Sequence, residues 1–532
     1  MTRVALALAA TTALATIASM TPAVPQGASE ADRQLGNVHF ATSCNEVAQR
    51  RFDRAMRYQH SFWYHQSKEL FQTVADADPD CGIAFWGIAL SLWNNPHGEP
   101  PAPNRAPALA AIEKAKSVGA KSERERDFIN ALAILYTDYD KIDYPVRLQN
   151  YLKAMQALAA KYPDDDETQI FYAITLNVSA SPADKTYAQQ LKGAAILEPI
   201  FKRQPQHPGV AHYLIHLYDY PAIADHGLDA AKRYAGIAPA APHAQHMPSH
   251  IFTRVGYWKD SIASNTASVN AAKPGKDWGE AMHASDYMVY AHLQLAHDQE
   301  ARAVLADMAS ITGYSADAAG AWFARAASPA RYAVEREDWA GAAALEVHPS
   351  KFAHVDAITH FARAVGGARS GNPDAAQAEV VKLAELRDKL REQKNAYWAN
   401  QVDIQHQIAT AWLLNAQGKS DEALKAMRAA ADAEDKTEKA PVTPGPLLPA
   451  RELLGAMLLE RGDAAGALAA YEATLKKEPN RYNATAGAAR AAEKLGDKAK
   501  ATAYSEKLVA LAEGSTSDRP SLAAAKQYLA KN

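Results

Sequence analysis

The stretch from His207 to Trp258 repeats itself. It reads HPGVAHYLIHLYDY, then a short amphipathic segment, then APHAQHMPSHIFTRVGYW. With Pro208 set against Pro242, His212 falls on His246 and His216 on His250, each 34 residues further on. Leu217 matches Ile251 and Tyr218 matches Phe252 in the same register. A fixed period of this length marks a unit of two helices that cannot bury its apolar face alone and must stack on its neighbours. Each half also carries H-x-x-x-H, and residues four apart share one face of a helix.

The 34-residue period is that of the tetratricopeptide repeat (TPR), and two further segments carry its spacing. Ser67, Phe71, Val74 and Pro79 sit where the repeat places a small residue, an aromatic, a second small residue and a terminal proline, and Gly87 opens the next helix to close approach. Leu454, Gly455, Gly462, Ala467, Tyr471 and Pro479 reproduce it again, and Gly496 lies 34 residues after Gly462. No alternating strand pattern of useful length occurs. The expected fold is therefore all-α, a TPR-type α-solenoid, a right-handed superhelix of helix-turn-helix repeats.

Hydrophobic residues make up 48% of the chain and charged ones 22%, as in globular proteins. The net charge is −3 with no long Lys/Arg block, which argues against nucleic acid as a partner. Residues 1–28 read as a signal peptide: Arg3, an apolar run from Val4 to Ala18, then small residues. That run is short for a membrane span and no later segment is long enough, so the mature chain is expected to lack a transmembrane span and to be periplasmic or secreted. Cys44 and Cys81 are the two cysteines; export and an even count suggest one disulfide, with two buried thiols as the rival. The organisation expected is a TPR-like solenoid over 29–345, holding the His-rich repeats 207–258, then further repeats over 346–433, a Pro-rich loop at 434–450 and C-terminal TPR repeats over 451–532.

Several stretches, SFWYHQSKELFQTVADADPDCGIAFWGIAL, HPGVAHYLIH, HMPSHIFTRVGYW, THFARA and PVTPGPLLPARELLG, together resemble exported bacterial TPR proteins related to eukaryotic tetratricopeptide repeat protein 38. The resemblance spans about residues 40–510 and implies an α-solenoid. It implies no secure activity, substrate or catalytic residue.

Function rests on the histidines. Ten of the 18 lie between His207 and His297, where an even spread would place about three. If Gly256 is the turn glycine of its repeat, His243, His246 and His250 occupy first-helix positions that face the groove in TPR domains, with His212 and His216 equivalent in the repeat before. Together with Arg254 they form the expected ligand-binding groove. Three chemistries suit it: a divalent transition metal, Zn or Cu, held by His212, His216, His246 and His250; a clamp on a small anionic ligand or on a peptide or protein partner; or acid-base catalysis. The bland alternative is a buried polar network. The leading expectation is an exported scaffold or binding protein; the alternative is a His-rich metalloprotein. Metal binding is expected to weaken below about pH 6 as imidazoles protonate. Pro248, between His246 and His250, is expected to start a helix and can take the two rings off a common face. His283 and Asp286, one repeat on, are weaker candidates to complete a site. None of the familiar catalytic or nucleotide-binding motifs, from H-E-x-x-H to the phosphate loop, is present, so no catalytic residue is assigned.

Overall fold

The computed structural model describes residues 34–531; the expected signal peptide lies outside them. Among the described residues the chain is helical, with turns and a few longer loops between the helices and no strand. It forms a TPR-type solenoid of helix hairpins, as the 34-residue period requires. No helix of the described residues is long and apolar enough to cross a membrane.

The repeat works by seating an aromatic knob on a glycine of the next helix. Phe71, in the helix Tyr64–Ala77, lies against Gly87 in Gly82–Trp93, where a Cβ would meet its ring at 2.3 Å. Tyr471 does the same to Gly487, where a Cβ would come within 2.2 Å. A methyl group at either place would push the paired helices apart. The turn between the two helices of a repeat needs a left-handed residue: Gly256 and Gly462 have φ of +73° and +86°.

Cys44 and Cys81 are joined, with Cα atoms 5.1 Å apart, so the rival pair of free thiols is set aside. The bond ties the start of the first described helix, Glu46–His60, to the N-cap of Gly82–Trp93. It closes a loop of 37 residues, and the chain-entropy relation gives such a cross-link about 2–4 kcal/mol. Adding reductant to a guanidinium titration should therefore lower the unfolding free energy of the N-terminal repeats by that amount and move their midpoint down, and an unchanged midpoint would contradict it.

The solenoid turns back on itself. Trp258 Nε1 donates to the Asn480 carbonyl at 2.8 Å and Asn480 Nδ2 to that of Gly256 at 3.1 Å, so the C-terminal repeats lie beside the histidine repeats. Buried Arg481 donates to Glu335 and Glu452, both at 2.7 Å, and to the Tyr290 hydroxyl at 3.0 Å. The Pro-rich segment 434–450 is no slack linker. Its Thr443 hydroxyl, Gly445 carbonyl and Pro446 carbonyl all bind Arg331, and its Pro441 and Thr443 carbonyls accept from Tyr287. It runs as a strap across the inner wall formed by the central helices.

Candidate metal centre

Three consecutive repeats supply the histidines. The helix Pro208–Tyr218 is buried at every residue, with His207 as its N-cap and proline at its first turn. It carries His212 and His216 one turn apart, and Asp219 follows as its C-cap. The next repeat begins with two short helices, Pro242–His246 and Pro248–Val255. Met247 between them keeps helical angles, φ −53° and ψ −37°, so the path hardly deviates at Pro248. The sequence-based concern about Pro248 is thereby resolved: a helix does start there, yet His246 and His250 still share a face. Helix Trp278–Gln294 brings His283, together with Glu280 in its first turn.

The ring nitrogens gather in two sets of three. His212 Nε2 lies 3.1 Å from His216 Nε2 and 3.2 Å from His243 Nε2. His246 Nε2 lies 3.0 Å from His250 Nε2, and His283 joins them, its ring centroid 4.4 Å from that of His246. Within each set the donor atoms all lie within 4.8 Å of one another. The two sets face each other, with the His216 and His250 rings 5.9 Å apart and the His243 and His246 rings 6.0 Å apart. The four expected ligands are therefore neighbours, but grouped differently from the expectation. Each pair converges on its own point and takes a third histidine, His243 on one side and His283 on the other. Repeat spacing located the pairs and offered His283, one repeat on, to complete a site; it did not show that His243 joins the pair of the repeat before it.

The other ring nitrogens determine where the protons sit. His212 Nδ1 donates to the His60 carbonyl at 2.7 Å, an oxygen that can only accept. His250 Nδ1 donates to Asp219 Oδ2 at 2.9 Å, and His243 Nδ1 to Glu280 Oε1 at 3.2 Å. His246 Nδ1 donates to Asn265 Oδ1 at 2.6 Å, with the amide oriented by Asn265 Nδ2 giving its hydrogen to the Ser261 carbonyl. In a neutral imidazole a proton on Nδ1 leaves Nε2 with a bare lone pair. The close contacts His246–His250 and His212–His243 thus set two acceptors against each other at 3.0 and 3.2 Å, which no hydrogen bond can relieve. Protonating either ring would relieve the His246–His250 contact, but burial, the largest cause, holds both rings below the usual imidazole range, and it lowers His212 and His216 in the same way. A metal ion seated within a set accepts the lone pairs of that set at once. Ligand nitrogens at 2.0–2.1 Å from a tetrahedral ion stand about 3.4 Å apart, within a few tenths of an ångström of the spacing here.

A third group of comparable donors behaves differently. His60, Glu167 and His207 are all buried, but every contact is complementary. His60 Nε2 and His207 Nε2 point at the two Glu167 oxygens at 3.0 and 2.8 Å, and His207 Nδ1 accepts from the Val210 amide. Burial raises the Glu167 carboxyl, and the two histidines more than offset it, leaving it well below its ordinary value. This is the satisfied polar network that the bland reading describes, and it belongs here rather than to the paired triads.

Around the triads lies a second layer. Asp219 is 5% exposed and also accepts from Arg254 Nε at 2.8 Å and from Lys439 Nζ at 3.2 Å. Burial raises its carboxyl, but Lys439 and Arg254 outweigh that and hold it far below the ordinary range. Arg254, expected in a ligand groove, thus serves Asp219 instead. His97, on the loop after Gly82–Trp93, places its ring 4.4 Å from that of His216, and Phe62 packs 4.3 Å from that of His212. The expected open groove is corrected by these neighbours: His212, His216, His246 and His250 are at most 4% exposed, beneath Phe62, His97 and the strap. The edge formed by His243, Glu280 and His283 is part-exposed, as are the covering residues Phe62 and His97. Burial holds His212, His216, His246 and His250 below the usual imidazole range, so these rings resist the protonation near pH 6 expected of solvated imidazoles.

Asp219 with Lys439 and His97 escape sequence reasoning. They stand on different segments with no shared spacing, and only the return of the strap brings Lys439 to the site.

No known protein-family profile matches this chain, and neither does any curated protein. Among solved structures it is similar to a chain of the APC/C hetero-tetramer Cut9-Hcn1, at 12% identity over 91% of this chain and 90% of that one, TM-score 0.32. It is also similar to human IFIT1, solved as a dimer with m7Gppp-AAAA, at 10% identity over 85% and 89%, TM-score 0.36. These likenesses carry no argument about function.

Proposed function

We propose that this chain is a transition-metal-binding protein that holds its ion through the histidine Nε2 atoms of the central repeats. The observation that carries the reading is the pair of facing lone pairs, His246 against His250 and His212 against His243, each fixed by an Nδ1–H that is already committed to an acceptor. Imidazole donors suit Zn(II) and Cu(II) alike. Orientation of each ligand ring by a carboxylate, amide or carbonyl is the usual second layer of a metal site. The Cys44–Cys81 bond supports an oxidising, extracytoplasmic compartment, in line with the signal peptide read from residues 1–28. The same burial weighs against docking of a peptide at these histidines, since the strap and Phe62 occupy the space a peptide would need.

Calorimetric titration of untagged, metal-free protein with Zn(II) tests this. His216→Ala/His250→Ala removes one donor from each triad and should weaken binding by on the order of 100-fold or more, given that even second-layer changes cost 10–100-fold. Equal affinity in both proteins, with unchanged circular dichroism, would return the histidines to the structural network.

A further inference from the structure

We infer that the centre is dinuclear, with His212, His216 and His243 binding one ion, His246, His250 and His283 a second, and a small anion bridging them. This rests on the metal-binding reading and specifies it. Geometry comes first. The donors fall into two groups of three, each within 4.8 Å internally, and the groups face each other across rings about 6 Å apart at His216–His250 and His243–His246. One ion reaches ligand atoms only at 2.0–2.1 Å, so it can satisfy one group and must leave the opposing lone pairs unmet. Two ions satisfy both. Paired ions about 3.5–4 Å apart are a recurrent arrangement for holding one small ligand between them.

Charge comes second. All six ligands are neutral imidazoles. Of the two carboxylates that touch them, Asp219 is already matched by Arg254 and Lys439, and only Glu280, against His243, remains to offset the ions. Two divalent ions therefore leave a large positive surplus in a buried space, which favours an anion between them. Three imidazoles also leave the fourth position of each tetrahedral ion open. The part-exposed edge at His243, Glu280 and His283 borders both triads and is where a ligand of hydroxide or azide size would enter.

The test is metal stoichiometry with a magnetic readout. Untagged, metal-free full-length protein is loaded with Cu(II), desalted, and its copper per chain measured by atomic emission. Wild type should hold two ions, and His243→Ala and His283→Ala one each, with circular dichroism confirming the fold. Two bridged Cu(II) ions couple their spins, so the wild-type paramagnetic signal should fall below its copper content, and the signal of each variant should match its own. Azide should bind once per pair of ions in wild type and much more weakly in either variant. One ion per wild-type chain, two retained in either variant, or uncoupled spins would overturn the dinuclear assignment while leaving metal binding intact. No bound ion at all would overturn both readings.

Discussion

Asp219→Ala will destabilise the metal-free protein by about 3–5 kcal/mol and weaken metal binding by roughly 10–100-fold. The carboxylate is buried, and so are the groups it neutralises: Arg254 is 8% exposed, and the Lys439 side chain 4%. Its removal strands two cations in a medium that cannot solvate them, the costliest way to break a buried ion pair. The environment is already hard on Lys439, whose ammonium is lowered by burial to about 8 despite Asp219. Metal affinity falls because His250 loses the acceptor that fixes its tautomer. Asp219→Asn separates the two effects. An amide oxygen can still accept from His250 but carries no charge, so stability should fall nearly as far while affinity falls less. Adding Lys439→Met to Asp219→Ala should recover part of the stability by removing one stranded cation. Guanidinium unfolding of the four proteins checks this; an Asp219→Ala loss below about 1 kcal/mol would mean that these charges are not coupled.

The metal-free protein should also lose stability steeply between about pH 6.5 and pH 4, and the metal-loaded protein much less. His97 and His283 are both lowered to about 4. Burial is the chief cause. For His97 the charges of His250 and His243 add to it and Asp219 opposes; for His283, His250, His243 and Lys439 add and Glu280 opposes. His212, His216 and His246 shift the same way. The unfolded chain takes up these protons near pH 6.5 and the folded chain does not, so across this window the unfolded state binds more protons and stability falls with pH. Each group contributes about 1.4 kcal/mol per pH unit, or about 3 kcal/mol over the window for each of His97 and His283. A bound ion holds the ligand nitrogens against protonation and should flatten the profile. Unfolding midpoints in chelator at pH 7.5 and pH 5 measure the slope, and equal midpoints would contradict it.

Much of the fold was legible in the sequence because the repeat states its geometry in residue types. Phe71 and Gly87 stand at repeat positions for a bulky knob and for the residue that leaves room for it, and the structure seats one on the other. The histidine pairs were legible for the same reason, since a 34-residue offset becomes adjacency on neighbouring repeats. The site was only half legible. His283 was a candidate to complete a site, but the pairing of His243 with His212 and His216 joins two different repeats, which no single helix face encodes. Pro248 misdirected the reading because one lost amide bond does not bend a path whose flanking residue keeps helical angles. Lys439 carries no signal at all, because its position depends on where the solenoid closes.

That closure also sets an order of events. A chain synthesised from its N-terminus has all six triad histidines in place long before Lys439 and the rest of the strap emerge. Contacts such as Lys439 to Asp219, 220 residues apart in sequence, form late and slowly because a long loop must close first. The inner wall with its histidines can therefore assemble as a local stack of repeats while still uncovered. The enclosed centre is finished only when the strap arrives, so the nascent chain passes through a stage in which its ligands are arranged and still open to solvent.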